Sequence, residues 1–218
     1  MDAQAAAQVG SGGTSSNEVL DEILRQAPDR FDSWLDIGCG TGDLLRVLAA
    51  RYSRADLVGN DILPWLPAEL HGRVGFRAGP AEALLVSETR FDVVSLIEVL
   101  EHLEAPWSVL RVAAQLVAPG GTLIASTPNI ATLRSRLEFG LCGRLTAFRP
   151  EHPPHMTPII PHVATRLLAE EGLTDMRVTY ACTDVVPHAR GRRWPEFLVR
   201  AQPRLSLTSV VITAARRP

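Results

Sequence analysis

The chain has 218 residues, 46% hydrophobic and 21% charged, with a formal net charge of −2 and a pI near 6.3. That balance fits one soluble globular domain with a continuous core. It excludes a global electrostatic pull toward a polyanion such as duplex DNA or an acidic membrane, so nucleic-acid binding would need a local basic patch. All of the basic side chains are Arg, a compositional bias from which no chemistry follows.

Cys39, Cys142 and Cys182 are far apart and odd in number, so they form neither a disulfide framework nor a C-x-x-C metal pair, and a reducing cytoplasm is the simpler expectation. The N-terminus has no basic head followed by an apolar segment. No apolar run approaches the roughly 18 to 20 residues that span a bilayer, so the chain reads as soluble and unexported. Residues 1–14 are small, polar and Gly-rich, and are expected to be flexible or to fold over the site once ligand is bound; residues 15–218 are expected to form one domain.

From about residue 15, helix-like and strand-like segments alternate, the signature of an α/β domain with a mostly parallel sheet. SSNEVLDEILRQA opens with Ser15 and, three positions on, Glu18, which predicts a capping box and a helix. FDSWLDI predicts a first strand running into GCGTG, and DLLRVLAARY a helix that packs Leu44, Leu45, Val47 and Leu48 on the sheet. ADLVGNDI, RVGFRAG and RFDVVSLI follow as strands, the last apolar enough to be buried on both faces. SVLRVAAQLV predicts a helix and TLIAST a fifth strand. Residues 128–160 carry five prolines and read as an insertion with one short helix around ATLRSRLEFG. HVATRLLAEEG resumes helix, and TDMRVTYACTD and LSLTSVVITA read as a final strand pair separated by an Arg-rich loop.

LDIGCGTGD places Gly38, Gly40 and Gly42 between the first strand and its helix, where the backbone can turn sharply and approach a ligand. The spacing is G-x-G-x-G rather than the dinucleotide fingerprint G-x-G-x-x-G. Gly42 comes one residue early and Asp43 would face the pyrophosphate, which disfavours a nicotinamide or flavin cofactor. Asp61 ends the second strand about 20 residues beyond the loop, where a carboxylate can accept both hydroxyls of an adenosine ribose.

LDIGCGTG, the NDI ending at Ile62, FDVVSLIEVLEHL, APGG and TLIASTPN resemble, in order and spacing, the class I S-adenosylmethionine-dependent methyltransferases. The likeness is strong from about residue 30 to 130 and weaker beyond. It implies a Rossmann-like seven-stranded sheet with its last strand antiparallel and helices on both faces. It also implies an enzyme binding S-adenosylmethionine, with Asp36 and the backbone of Gly38 and Gly40 near the methionine end, Asp61 on the ribose and Ile62 on the adenine face. Many relatives have Gly-Asp-Ala-Glu after the third strand. Here the sequence is Gly79, Pro80, Ala81, Glu82, so adenine recognition falls to the Ala81 backbone.

In open α/β sheets ligands sit outside the carboxyl ends of the strands, and Glu98 follows Ile97 at such an end. If a helical turn begins there, Glu98, Glu101 and His102 at i, i+3 and i+4 share one face. His102 can then act as a general base toward a hydroxyl acceptor. Alternatively, a divalent cation such as Mg²⁺ on Glu98, Glu101 and His102 can lower the hydroxyl pKa, with Mn²⁺, Fe²⁺ or Zn²⁺ also suited to a mixed carboxylate and imidazole set.

The E-x-x-E-H spacing is similar to that of the ubiquinone-biosynthesis O-methyltransferases and the small-RNA 2′-O-methyltransferases, both of which draw a further His from the insertion. That likeness selects His155, over His152 and His162, as the distal metal or catalytic partner. The same turn also occurs in relatives without a metal, where Glu and His serve packing and substrate contact. The sequence thus leads to O-methylation of a small-molecule acceptor, with metal-dependent RNA 2′-O-methylation and a non-catalytic S-adenosylmethionine-binding regulator as alternatives. Asn129 is expected to cap the following helix or to contact substrate. Arg134, Arg136, Arg144, Arg149 and the RGRR of residues 190–193 are candidates for an anionic acceptor group. Acceptor identity and oligomeric state are not encoded in any motif.

Overall fold

The structure is a computed structural model that describes residues 16–64, 66–87, 89–149, 155–184, 186–187 and 192–216. Residues 1–15, His152 and the start of RGRR lie outside them. In chain order the elements are α1 (Asn17–Gln26), β1 (Ser33–Ile37), α2 (Asp43–Arg51), β2 (Asp56–Asp61), β3 (Gly75–Ala78), β4 (Phe91–Ile97) and α3 (Pro106–Leu116). There follow β5 (Val117–Pro128), α4 (Leu133–Cys142), α5 (Pro161–Glu170), β6 (Leu173–Thr183), α6 (Glu196–Ala201), α7 (Pro203–Ser206) and β7 (Leu207–Arg216).

The strands form one seven-stranded sheet in the order β3-β2-β1-β4-β5-β7-β6. β1 to β5 pair in parallel and β7 runs antiparallel to both β5 and β6, as the motifs implied. Successive strand residues point to opposite faces, and the sheet is apolar on both. Trp34, Val93, Ile124 and Val211 meet α1 and α2 through Val19, Ile23, Leu45 and Leu48 on one side. Leu35, Val94, Leu123 and Val210 meet α3 and α5 through Leu110, Leu116, Leu167 and Leu168 on the other. The winding direction changes between β1 and β4, so the carboxyl ends of these neighbours border the crevice where such sheets bind ligands.

Several local expectations need correction. The cap of α1 is Ser16, whose hydroxyl accepts from the Val19 amide at 3.3 Å, and Glu18 accepts from the Thr183 amide; Ser15, the cap expected, lies outside the described residues. The Arg-rich loop contains the two short helices α6 and α7. Asn129 is structural: its amide nitrogen donates to the Arg204 and Leu207 carbonyls at 2.8 and 2.7 Å, and Thr132 caps α4. Arg134 and Arg149 both pair with Glu138, and Arg136 donates to the Ala131 carbonyl, so these three side chains brace the insertion. Arg144 stands exposed.

Candidate functional site

The glycine loop leaves β1 with Gly38, Gly40 and Gly42 all at positive φ. At Gly38 the reason is steric as well as conformational. A Cβ added there would lie 2.6 Å from Val99 Cγ2, so the loop can reach its position only without a side chain. Val99 belongs to the EVLEH turn, which puts the glycine loop and the acidic turn in direct contact.

The Gly38 and Cys39 amides donate to the Asn60 carbonyl at 2.7 and 3.0 Å, and the Gly40 amide donates to Asp61 Oδ2 at 3.0 Å. The Gly40 N–H is thus turned to the Asp61 carboxylate. Asp61 Oδ1 accepts from the Leu63 amide at 3.3 Å. Each carboxylate oxygen accepts two hydrogen bonds, so both keep capacity for a ligand hydroxyl. Ile62 beside it is 69% exposed, an apolar side chain held out at the carboxyl edge. Ala81 buries its side chain in the core at the start of the 3-10 turn Ala81–Ser87, so only its backbone can serve recognition.

Asp36 is buried at the carboxyl half of β1. Burial, and secondarily the charge of Asp61, push its carboxyl up to about 7, against the opposing hydrogen bond from Ser95. The Cys39 thiol is likewise pushed up by burial and by the neighbouring carboxylates, which makes it an inert packing group.

The acidic turn differs in detail from the helical turn expected. Glu98 has a φ of +54°, and the chain then enters a 3-10 turn at Leu100–His102. Ser126 on β5 holds Glu98 in this uncommon conformation: its hydroxyl donates to Glu98 Oε1 at 2.8 Å, and the Glu98 amide approaches both the Ser126 carbonyl and hydroxyl. Because the turn is not α-helical, Glu98 does not join the tightest cluster. Ligand atoms of Glu101, His102 and His155 all lie within 4.8 Å of one another. The His102 and His155 rings pack edge to face with centroids 4.7 Å apart.

His155 reaches this point because the Met156 and Thr157 amides both donate to the Glu101 carbonyl, and the Thr157 hydroxyl donates to the Leu103 carbonyl at 2.7 Å. The exit of the insertion is therefore stitched to the turn. His155 Nδ1 lies 2.6 Å from the Ala147 carbonyl. A carbonyl can only accept, so Nδ1 is the donor in this contact, which fixes the orientation of the ring. His162 is exposed on α5.

Glu101 is fully buried, and among the described residues neither carboxylate oxygen makes a hydrogen bond of normal geometry. Burial first, and the charge of Glu98 second, push its carboxyl up to about 9. Burial raises Glu98 as well, with the Ser126 hydrogen bond opposing it. Buried carboxylates without donors are costly unless something offsets the charge. Two residues escaped the motif reading, Ser95 and Ser126. Their only signal was polarity inside apolar strands.

A family profile described as "Methyltransferase domain" matches residues 13–178. The ubiquinone biosynthesis O-methyltransferase of Cereibacter sphaeroides is 42% identical over 129 residues, covering 50% of this chain and 51% of that protein. The enzyme of the same description from Bordetella avium is 40% identical over 103 residues, 44% of this chain and 42% of its own length. The chain thus spans about half the length of the curated relatives it matches. Among solved structures, a SAM-dependent methyltransferase from Archaeoglobus fulgidus superposes with a TM-score of 0.64 at 19% identity, covering 91% of each chain. N-methyltransferase NodS from Bradyrhizobium japonicum, in complex with S-adenosyl-L-homocysteine, gives 0.60 at 15% identity over 92% of this chain and 86% of its own. With a profile match over most of its length, the glycine loop and the sheet order, the chain belongs to the methyltransferase domain family of S-adenosylmethionine-dependent enzymes.

Proposed function

We propose that this protein transfers the methyl of S-adenosylmethionine to a hydroxyl of a small-molecule acceptor, with a divalent cation held by Glu101, His102 and His155. The observation that carries this reading is the convergence of those three side chains on one another at the carboxyl edge of β4. The likeness of half the chain to ubiquinone biosynthesis O-methyltransferases supports the choice of oxygen as acceptor atom.

S-adenosylmethionine supplies an electrophilic methyl when bound, and the transfer demands alignment and a deprotonated nucleophile. Asp36 would hold the ammonium of the methionine end and Asp61 the ribose hydroxyls, and Ile62 and the Ala81 backbone would serve the adenine. A cation at the cluster would lower the hydroxyl pKa of the acceptor. The donor set suits one: Glu101 brings two buried carboxyl oxygens that make no hydrogen bond of normal geometry among the described residues, and His155 an imidazole whose ring is oriented by the Ala147 contact. Glu98, held by Ser126, lies against Glu101 and brings a second buried carboxyl group to the same spot. Residues 130–160 act as a lid that carries His155 and excludes water from the acceptor.

The test is turnover of a panel of phenols and catechols by the full chain, read as S-adenosylhomocysteine, before and after exhaustive chelation. Activity should vanish on chelation and return with Mg²⁺, Mn²⁺ or Zn²⁺, and Glu101→Gln and His155→Ala should each lower metal affinity at least tenfold. Undiminished activity after chelation would remove the cation and leave His102 as the general base. No turnover with any hydroxyl acceptor, but turnover with amines, would overturn O-methylation.

A further inference from the structure

Three buried side chains form a chain of hydrogen bonds beneath the cofactor crevice. Trp34 Nε1 donates to Ser95 Oγ at 2.8 Å, and Ser95 Oγ donates to Asp36 Oδ1 at 2.6 Å. Trp34 and Asp36 stand two residues apart on β1 and share a face, and Ser95 is the β4 residue directly opposite Asp36. Trp34 and Ser95 are fully buried and Asp36 nearly so.

The direction of the chain is forced by its chemistry. An indole N–H can only donate, so it occupies a lone pair of the serine oxygen. The single hydroxyl proton must then go to an acceptor. Asp36 lies at 2.6 Å and the Leu35 carbonyl at 3.4 Å, so the carboxylate takes it.

From this we infer that Ser95, oriented by Trp34, is a positioning residue for the cofactor: it pins Oδ1 of Asp36 to the sheet and leaves Oδ2 for the ammonium of the bound methionine end. This rests on the S-adenosylmethionine reading of Asp36. The relay also opposes burial, which pushes the carboxyl toward its neutral form; a neutral Asp36 would lose its attraction for an ammonium. Serine suits the position because it is small enough for a β4 interior flanked by Val94 and Leu96, and it both accepts and donates. Neither Ala nor Val at this site could pass polarity from the indole to the acid.

The experiment compares two ligands that differ only at the methionine end. S-adenosylhomocysteine carries the ammonium and carboxylate, and 5′-methylthioadenosine lacks both. Calorimetry on the full chain should show that Ser95→Ala weakens S-adenosylhomocysteine about tenfold, the scale of a lost hydrogen bond to a charged group. Binding of 5′-methylthioadenosine should stay within twofold. Ser95→Thr should recover most of the loss. Asp36→Asn should weaken S-adenosylhomocysteine too, and adding Ser95→Ala to it should cost little more, since the two act as a unit. Trp34→Phe, which keeps the ring and removes the N–H, should produce a smaller loss of the same ligand selectivity.

Equal weakening of both ligands by Ser95→Ala would mark a role in folding alone and overturn the inference. So would an unchanged affinity for S-adenosylhomocysteine. Wild-type protein that binds the ligand, with Asp36→Asn indifferent to it, would overturn the relay and leave the cofactor reading standing. Wild-type protein that binds neither ligand would overturn both.

Discussion

Asp36→Asn should shift the balance of stability toward the variant as the pH rises, while impairing cofactor binding. In the folded chain burial pushes the Asp36 carboxyl from an ordinary 3.8 up to about 7. The sign follows from proton counting. Between those values the folded state holds a proton that the unfolded state has released, so raising the pH costs the fold, and the whole cost is present only above pH 7. It amounts to about 4 kcal/mol at pH 8, of which roughly half is already present at pH 5.5. Asn is nearly isosteric and can still accept the Ser95 hydroxyl, but it does not titrate. Its buried NH₂ adds a penalty that is independent of pH, so the readout is the change in the difference between the two proteins. Urea denaturation followed by circular dichroism should show the balance moving toward the variant by about 2 kcal/mol between pH 5.5 and 8. In thermal scans that corresponds to about 4 to 8 °C of relative gain in Tm. A difference that stays constant with pH, or that moves toward the wild type at high pH, would refute the assignment of a strained, buried carboxylate.

The same carboxyl predicts that S-adenosylhomocysteine affinity of the wild type falls as pH drops below 7, toward tenfold per pH unit, whereas Asp36→Asn gives a flatter profile; calorimetry between pH 6 and 8 decides this, with Asp61 as the other charge beside the site. Gly38→Ala should abolish cofactor binding and cost about 2 kcal/mol or more in denaturation, because its Cβ meets Val99 at 2.6 Å and its φ is +70°; Gly79→Ala, with open space around it, should cost only backbone strain. Ser126→Ala removes the hydroxyl that holds Glu98 and should lower kcat more than it raises KM for S-adenosylmethionine, with a stability loss of about 1 to 3 kcal/mol. An unchanged kcat would show that the Glu98 conformation is irrelevant to turnover.

What could be read in the sequence was what depends on neighbours along the chain. The alternation of helix-like and strand-like segments located the strands, and the glycine spacing separated this cofactor loop from a dinucleotide fingerprint because a one-residue offset changes what faces the ligand. The E-x-x-E-H spacing carried the cluster to within one residue: Glu101 and His102 converge with His155, and Glu98 stands behind them. Ser95 could not be read, because its partner Asp36 is 59 residues away and only the β1 to β4 register brings them face to face. Asn129 was misjudged for the same reason, since its acceptors lie 75 and 78 residues further on. The helices α6 and α7 lay in the segment read as an Arg-rich loop; Pro195 precedes α6, and Pro203 opens α7, where a missing N–H costs nothing.

The carboxyl edge of β1 and β4 is where local rules are broken together. It holds a buried aspartate pushed toward neutrality, a glutamate at positive φ, and a second glutamate with no donor of normal geometry among the described residues. Each costs folding free energy, and such costs concentrate where a site is built for something that is not protein. For the two buried carboxyls the remedy is positive charge: under the proposed function, the ammonium of a cofactor at Asp36 and a cation at Glu101 would each offset the burial penalty. Val99 links the two places, because the side chain that fills the hollow of Gly38 belongs to the turn that aims Glu98 and Glu101. If both places take the ligands proposed for them, linkage requires each ligand to change the apparent affinity for the other by the same factor, which calorimetry with S-adenosylhomocysteine with and without Mn²⁺ would read.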